Sequence, residues 1–287
     1  MSYYISKLFS HIICLLPNNV NRSIGNLLGE LTWLLVPKKR KIMAVNNILQ
    51  CLHVAPVEAT QIAKKSWTRF GRMIIEVLMY PRIKEDINRY AVIEGREYLE
   101  EALALGRGGI VATAHSGNWE LLGGVLAMNG FPLVGVAQKQ THRNMNRFIN
   151  EYREMIGIHV TYKTGVREMI QMLGQGWLIG LLMDQDAGPN GIITKFFNRD
   201  TACVQGPASL ARFKNAPILP IFITENKEGK HTVHIYKALF INQTKNKQDD
   251  IANMTVQLTN VIEKHIQNHP EEWFWLHDRW KSVEGRG

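Results

Sequence analysis

Cysteine is scarce in this chain: Cys14, Cys51 and Cys203 are the only three among 287 residues. An odd number, wide spacing and no C-x-x-C pair exclude a disulfide framework and leave no zinc-site signature. A reducing cytoplasm fits that usage. Long apolar runs are missing as well. Residues 5 to 16 and 24 to 36 are apolar but interrupted by polar residues. Each is shorter than the roughly 20 residues that cross a bilayer. No small-residue cleavage site follows the first stretch, so a signal peptide is not expected. The glycines of Gly106-Arg-Gly-Gly109 precede a predicted strand rather than joining a strand to a helix, so the dinucleotide fingerprint fails. No nucleic-acid recognition module, internal repeat or low-complexity tract is visible, which removes nucleic acid from the expected partners. No set of His, Cys, Asp and Glu has credible metal-ligand spacing, and no metal is expected.

What the chain does have is positive charge: 34 Lys and Arg against 25 Asp and Glu, a formal +9. Such an excess suits an anionic partner, whether acidic lipid, phosphorylated substrate or acidic carrier protein. Some of the charge is placed informatively. Asn18, Asn19, Asn21 and Arg22 separate the two apolar stretches, and Pro37-Lys-Lys-Arg-Lys41 follows the second. A monotopic helical hairpin on the cytoplasmic leaflet of the inner membrane explains both features, because lysine and arginine beside an apolar helix attract anionic lipid. Two helices packed on a soluble core, with solvated charges, is the alternative.

Residues 1 to 85 read as mainly helical and membrane-associated, with Ile62, Trp67, Phe70, Ile74, Val77 and Leu78 near helical spacing. From residue 86 to 287 strands and helices alternate. Strands are expected at 92–93, 110–114, 133–137, 158–162, 177–183, 218–224 and 232–239. Helices are expected at 97–105, 120–128, 144–156, 166–173, 207–214 and 250–267. The alternation predicts an α/β domain: a central, mostly parallel sheet flanked by helices and continuous with the N-terminal segment.

One run carries chemistry. Residues 110 to 114 read as a buried strand, His115 follows, and Glu120 opens a helix after Ser116-Gly-Asn118. Residues five apart do not face each other on a helix, so His115 and Glu120 meet only across a strand-to-helix turn. Asn118 is placed as the N-cap. Glu120 would then reach back to the imidazole, fix its tautomer and make His115 a general base. No enzyme-borne nucleophile accompanies the pair, so a substrate hydroxyl would supply it. Asp184 and Gln185 close the apolar run from Trp177 to Met183 and so should also sit at a strand's C-terminal end, where ligands bind in such sheets.

With these residues in view, the chain resembles the bacterial lipid A biosynthesis acyltransferases, the late acyltransferases of the lysophospholipid and glycerolipid acyltransferase superfamily. His115-Ser-Gly-Asn118-Trp119-Glu120 is similar to the family's H-x-x-N-W-E block. Arg153-Glu-Met-Ile-Gly157 resembles its second block and Leu182-Met-Asp184-Gln185 its third. The start at Ile24-Gly-Asn-Leu-Leu-Gly29, Ala216-Pro-Ile-Leu-Pro220 and the aromatic end Trp273-Phe-Trp-Leu-His-Asp-Arg279-Trp-Lys complete the order over nearly the full length.

The resemblance implies that His115 deprotonates an acceptor hydroxyl, which attacks a thioester of acyl carrier protein or coenzyme A, with Glu120 orienting His115. No cofactor beyond that donor is implied. The acceptor would be a lipid A precursor glycolipid, and Asn118, Trp119, Arg153, Asp184 and Gln185 would bind substrate. Arg153 is a candidate phosphate ligand or a plain helix-face charge. Asp184 and Gln185 would touch the acceptor or support the site from behind. Trp273, Phe274, Trp275 and Trp280 read as a core cap, or alternatively as an interfacial surface. Glycerolipid acyltransferases of the superfamily usually pair the histidine with aspartate and carry an F-x-E-G-T-R-like block. Glutamate here, with Leu-Met-Asp-Gln-Asp in the corresponding place, favours the lipid A branch. Relatives acylating mannosylated phosphoinositides, a water-consuming thioesterase, and a non-enzymatic basic membrane-binding protein are the competing readings.

Overall fold

The computed structural model describes residues 2–285. Five helices come first: α1 (Ser2–Leu15), α2 (Asn18–Leu35), α3 (Lys38–Leu52), α4 (Pro56–Leu78) and the short α5 (Tyr80–Ile83). Pro17 and Pro37 occupy the caps of α2 and α3, and Pro56 opens α4, where its missing N–H costs nothing. Small residues bring α2 and α4 into backbone contact. A Cβ on Gly71 would lie 2.6 Å from the carbonyl oxygen of Gly25 and 2.7 Å from the nitrogen of Gly29. A Cβ on Gly29 would lie 2.6 Å from the Cα of Thr68. With its glycine face spent on α4, α2 turns Leu27, Leu31, Leu34 and Leu35 outward. Beside them α1 exposes Tyr4, Leu8, Phe9 and Leu15. Among the described residues no helix is long and apolar enough to cross a membrane.

The rest is α/β. In chain order come β1 (Ala91–Glu94), α6 (Arg96–Leu103), β2 (Gly109–Thr113), α7 (Trp119–Met128), β3 (Leu133–Ala137) and α8 (Arg143–Met155). They continue with β4 (Ile158–Tyr162), α9 (Val166–Gly174), β5 (Leu178–Leu182), β6 (Ile192–Phe196), β7 (Arg199–Cys203) and α10 (Gly206–Lys214). The chain closes with β8 (Ile218–Glu225), β9 (His231–Ile235), α11 (Lys247–Asn268) and α12 (Lys281–Glu284). Seven strands form one sheet in the order β1-β9-β8-β2-β5-β3-β4. All neighbours run parallel except β8 and β9.

That exception has a short-range cause. Five residues, Asn226 to Lys230, join β8 to β9, too few for the crossover that parallel strands need. Gly229, at φ +89°, takes the turn. A separate hairpin of β6 and β7 was not expected from the sequence. Its turn residues, Phe197 and Asn198, both have positive φ, 51° and 58°. That geometry normally advertises itself as Asn-Gly, and a phenylalanine in the first position hides the signal.

The sheet separates two apolar layers. Leu122, Val125, Leu133, Ile158 and Leu219 belong to one, and Ile110, Val134, Met169, Ile218 and Leu258 to the other. The second layer is completed by Trp273, Trp275 and Trp280, all at most 1% exposed, so these indoles are core rather than interface.

The sheet opens at one place. β3 and β5 pair from Leu133↔Leu178 to Gly135↔Gly180 and then separate. Beyond those glycines β3 continues along β4 to Ala137, and β5 along β2 to Leu182. The gap begins where two facing positions lack side chains.

Candidate active site

The register of β2 on β5 builds the site. Thr113 lies opposite Leu182, and Met183 N–H donates to the Thr113 carbonyl at 3.1 Å. Two residues beyond that pair, at the C-terminal ends of both strands, stand His115 and Asp184. The imidazole Nδ1 lies 2.8 Å from Asp184 Oδ1. Asp184 Oδ2 accepts the His115 backbone N–H at 3.0 Å and the Trp273 indole N–H at 2.7 Å. Burial alone would raise the pKa of this carboxyl, but the imidazole and the two N–H donors overcome it and hold Asp184 at about 2. An ionised Asp184 requires Nδ1 to carry its proton, which leaves the Nε2 lone pair as the basic face of His115.

The turn after His115 is fixed from several sides. Gly117 has φ +62°, and a Cβ there would lie 2.2 Å from the Ile223 carbonyl oxygen, so only glycine fits. Its N–H donates to the Glu272 carbonyl, and Phe274 N–H donates to the His115 carbonyl at 2.9 Å. The Ser116 hydroxyl meets His265 Nε2 at 3.1 Å. Burial, with His269 and His234 nearby, lowers His265 to about 3, so the imidazole that shares a hydrogen bond with Ser116 is neutral. Asn118 caps α7 as expected, its Oδ1 accepting from Leu121 N–H at 2.9 Å.

Several expected roles change. Glu120 was expected to orient His115; instead both of its oxygens are held by Arg153, at 2.8 Å from Nε and 2.5 Å from Nη2. A bidentate guanidinium matches a carboxylate better than one imidazole nitrogen does, and Asp184 already occupies Nδ1. Of the two positions expected for Asp184, against the acceptor or behind the site, it takes the second: at 3% exposure it lies behind the histidine. Asn118 was expected to bind substrate; it is buried, with its amide donating to Glu76 and its carbonyl spent on the cap. Trp119, Arg153 and Gln185 do line the cavity described next. Sequence spacing concealed Asp184 because its partnership depends on which strands are neighbours. The visible clue was an acid closing the apolar β5.

His115, Trp119, Glu120 and Arg153 border a cavity of about 840 Å³. Val111, Leu122 and Leu133 line it from one apolar layer, and Met169, Val136 and Leu181 from the other. Consecutive residues of both strands touch it, 135 to 137 and 180 to 182. Successive strand residues point to opposite faces, so the cavity passes through the gap between β3 and β5. Gln138, Lys163, Gln185, Asp186 and Lys247 are among its polar walls. Arg153 keeps its charge although buried, because Glu120 outweighs desolvation, and its Nη1 has no hydrogen-bond partner. Among the described residues no group of three or more His, Cys, Asp or Glu is arranged to hold a metal.

A buried carboxylate against a histidine at the edge of a largely apolar cavity is an arrangement that can take a proton from a hydroxyl presented there. Residues 1–282 match the family described as bacterial lipid A biosynthesis acyltransferase, and the chain belongs to it. It is 27% identical to a phosphatidylinositol mannoside acyltransferase of Mycobacterium tuberculosis over 82% of this chain and 75% of that one. With a lipid A biosynthesis lauroyltransferase of Escherichia coli it shares 23% identity over 94% and 88%. Among solved structures, a 1-acyl-sn-glycerophosphate acyltransferase from Thermotoga maritima aligns at 14% identity and a TM-score of 0.41, over 88% of this chain and 99% of that one. The protein is an acyltransferase of glycolipid synthesis.

Proposed function

We propose that the protein transfers a fatty acyl chain from an acyl carrier protein or coenzyme A thioester to a hydroxyl of a lipid A precursor. The observation that carries the mechanism is the His115–Asp184 contact at the cavity mouth. His115 Nε2 takes the acceptor hydroxyl proton as the oxygen attacks the thioester carbonyl. The tetrahedral intermediate collapses with loss of the thiolate, which recovers the proton from the imidazolium. Asp184 stabilises that transient cation and keeps the ring in register.

The donor's acyl chain enters the cavity, whose size falls within the usual range for ligand pockets, about 300–1,000 Å³. Lys163 and Lys247 on its walls suit an acidic carrier or the phosphates of coenzyme A. Arg153, clamped by Glu120 yet with a free Nη1, suits a phosphate of the acceptor. The outward leucines of α2, the exposed apolar side chains of α1 and the cationic Lys38-Lys-Arg-Lys41 support docking on the cytoplasmic face of the inner membrane.

A mannosylated phosphoinositide is the second acceptor reading, favoured by the similarity to the mycobacterial enzyme. The test is direct: purified protein, a carrier-protein thioester, and either a tetra-acylated lipid A precursor or a mannosylated phosphoinositide, read by product mass. One acyl increment on the first acceptor supports the proposal, and an increment on the second alone transfers it to the other class. Donor loss without acylated product would leave a thioesterase.

A further inference from the structure

A strip of four aromatic rings leaves His115 on a course separate from the donor cavity. Trp119 meets the imidazole edge-on at 5.0 Å between centroids. Phe70 stacks on Trp119 at 6.3 Å and an interplanar angle of 23°. Phe274 lies 5.3 Å from Phe70, and Trp67 lies 5.6 Å from Phe70 and 6.0 Å from Phe274. None of the four is fully buried. Of the four only Trp119 also borders the cavity. At its far end the strip reaches the N-terminal helices: Trp67 Nε1 donates to Thr32 Oγ1 at 3.0 Å. Thr32 sits on α2 between the exposed Leu31 and Leu34.

A transferase with one base must present that base to two substrates. The cavity runs between the two apolar layers, with polar residues on part of its wall, and on the reading above it takes the acyl chain of the thioester. The strip is apolar and partly exposed, its rings tilted against one another by 23° to 48°, and Trp67 ties it to Thr32 of α2. Aromatic faces offer large rigid apolar area at small conformational cost, and they accept the C–H face of a sugar ring as readily as an acyl chain.

We propose that Trp67, Phe70, Phe274 and Trp119 form the track on which the glycolipid acceptor rests. Its acyl chains lie along Trp67 and Phe70, and its sugar ring packs on Phe274 and Trp119, which brings a hydroxyl to His115 Nε2. The track determines acceptor affinity and leaves the donor site to the cavity. This assignment rests on the glycolipid acyltransferase reading above.

The experiment is a steady-state comparison of the full-length protein with Phe70→Ala and Phe70→Leu, using the glycolipid acceptor and carrier-protein thioester that the unaltered protein accepts. Each KM is measured with the other substrate saturating. Truncation to alanine should raise the acceptor KM about tenfold, the cost of one buried aromatic contact, with the donor KM changed by less than about twofold. Leucine, apolar but not aromatic, should fall between. Thermal melting of each variant separates lost binding from lost fold. An unchanged acceptor KM, or equal rises in both KM values, overturns the track. A fall in kcat together with melting temperature, without the KM split, overturns it as well. Failure of the unaltered protein to acylate any glycolipid would instead overturn the functional reading beneath it.

Discussion

Two acid–base pairs face the same cavity, and they do opposite things. His115–Asp184 joins a group that can exchange a proton to a carboxylate that is buried and ionised. Arg153–Glu120 joins a cation that never gives up its proton to a carboxylate that cannot then act elsewhere. The side chains of Arg153 and Glu120 are similarly shielded, 15% and 12% exposed. Position separates the two pairs. Asp184 sits behind the imidazole and leaves Nε2 facing the cavity, whereas Glu120 sits at the cavity wall and holds a guanidinium there. Adjacency in sequence therefore misleads: the acid five residues from the histidine holds the Arg153 guanidinium, and the acid on the neighbouring strand contacts the imidazole.

The largest effect should come from Asp184→Asn. The amide preserves shape but can present its N–H₂ to Nδ1 and reverse the tautomer, so kcat should fall about 10³- to 10⁴-fold with substrate KM values little changed. Steady-state rates against donor and acceptor check this. A loss of tenfold or less would mean that Asp184 serves the fold and that the base is oriented some other way.

Next in size is Glu120→Gln. It strands a buried guanidinium, and breaking one partner of such a pair typically costs about 3–5 kcal/mol of stability. The contrast with Asp184 lies in the rescue. Glu120→Met combined with Arg153→Met should recover much of the denaturation midpoint while activity stays low, with the acceptor KM raised. If Glu120→Gln instead lowered kcat as far as Asp184→Asn at full stability, the two pairs would share the work of orienting His115.

The same contrast shows how much the sequence disclosed. Hydrophobic period and turn residues are local, and they placed the ends of β3 and β4 as the structure has them. The strand, turn and helix around His115 were also legible, because Gly117 and Asn118 carry local signals for a positive φ and a cap. Strand order is not local. Asp184 reaches His115 only because β5 lies beside β2, a fact set by how helices cover the two faces of the sheet. The β6–β7 hairpin was missed for a different reason, since Phe197 at positive φ contradicts ordinary turn chemistry. The aromatic strip shows up in sequence only as scattered residues on three segments far apart in the chain.

A smaller effect is expected within the cavity, on selectivity more than on rate. Gly180 sits where β3 and β5 part, and a Cβ there would meet Leu133 Cδ1 and the Val134 carbonyl oxygen at 3.5 Å, an ordinary contact. Gly180→Val should fold and fill part of the passage, lowering kcat/KM for long-chain thioesters relative to short ones by roughly tenfold. Competition between donors of two lengths, read by product mass, checks it. An unchanged ratio would place the acyl chain elsewhere.

The smallest effect on activity concerns neither pair but the turn that holds His115: it is an effect on stability that emerges only below neutral pH. Burial keeps His265 neutral in the folded state, with its pKa lowered from the ordinary 6.5 to about 3. A histidine depressed in this way contributes stability that is complete above its unfolded pKa. That contribution is lost as pH falls from about 6.5 toward 3, where the unfolded chain binds a proton that the folded chain refuses. The slope per histidine is at most about 1.4 kcal/mol per pH unit. His269 and His277 are lowered as well, so His265 supplies one part of the acid sensitivity. His265→Phe can keep the ring contact with Phe222, 4.1 Å away, while removing the titration. Denaturant midpoints of the two proteins between pH 7 and pH 4 should therefore show a shallower decline for the variant. Equal slopes would mean that His265 charges freely in the folded protein and that Ser116 is held by other bonds.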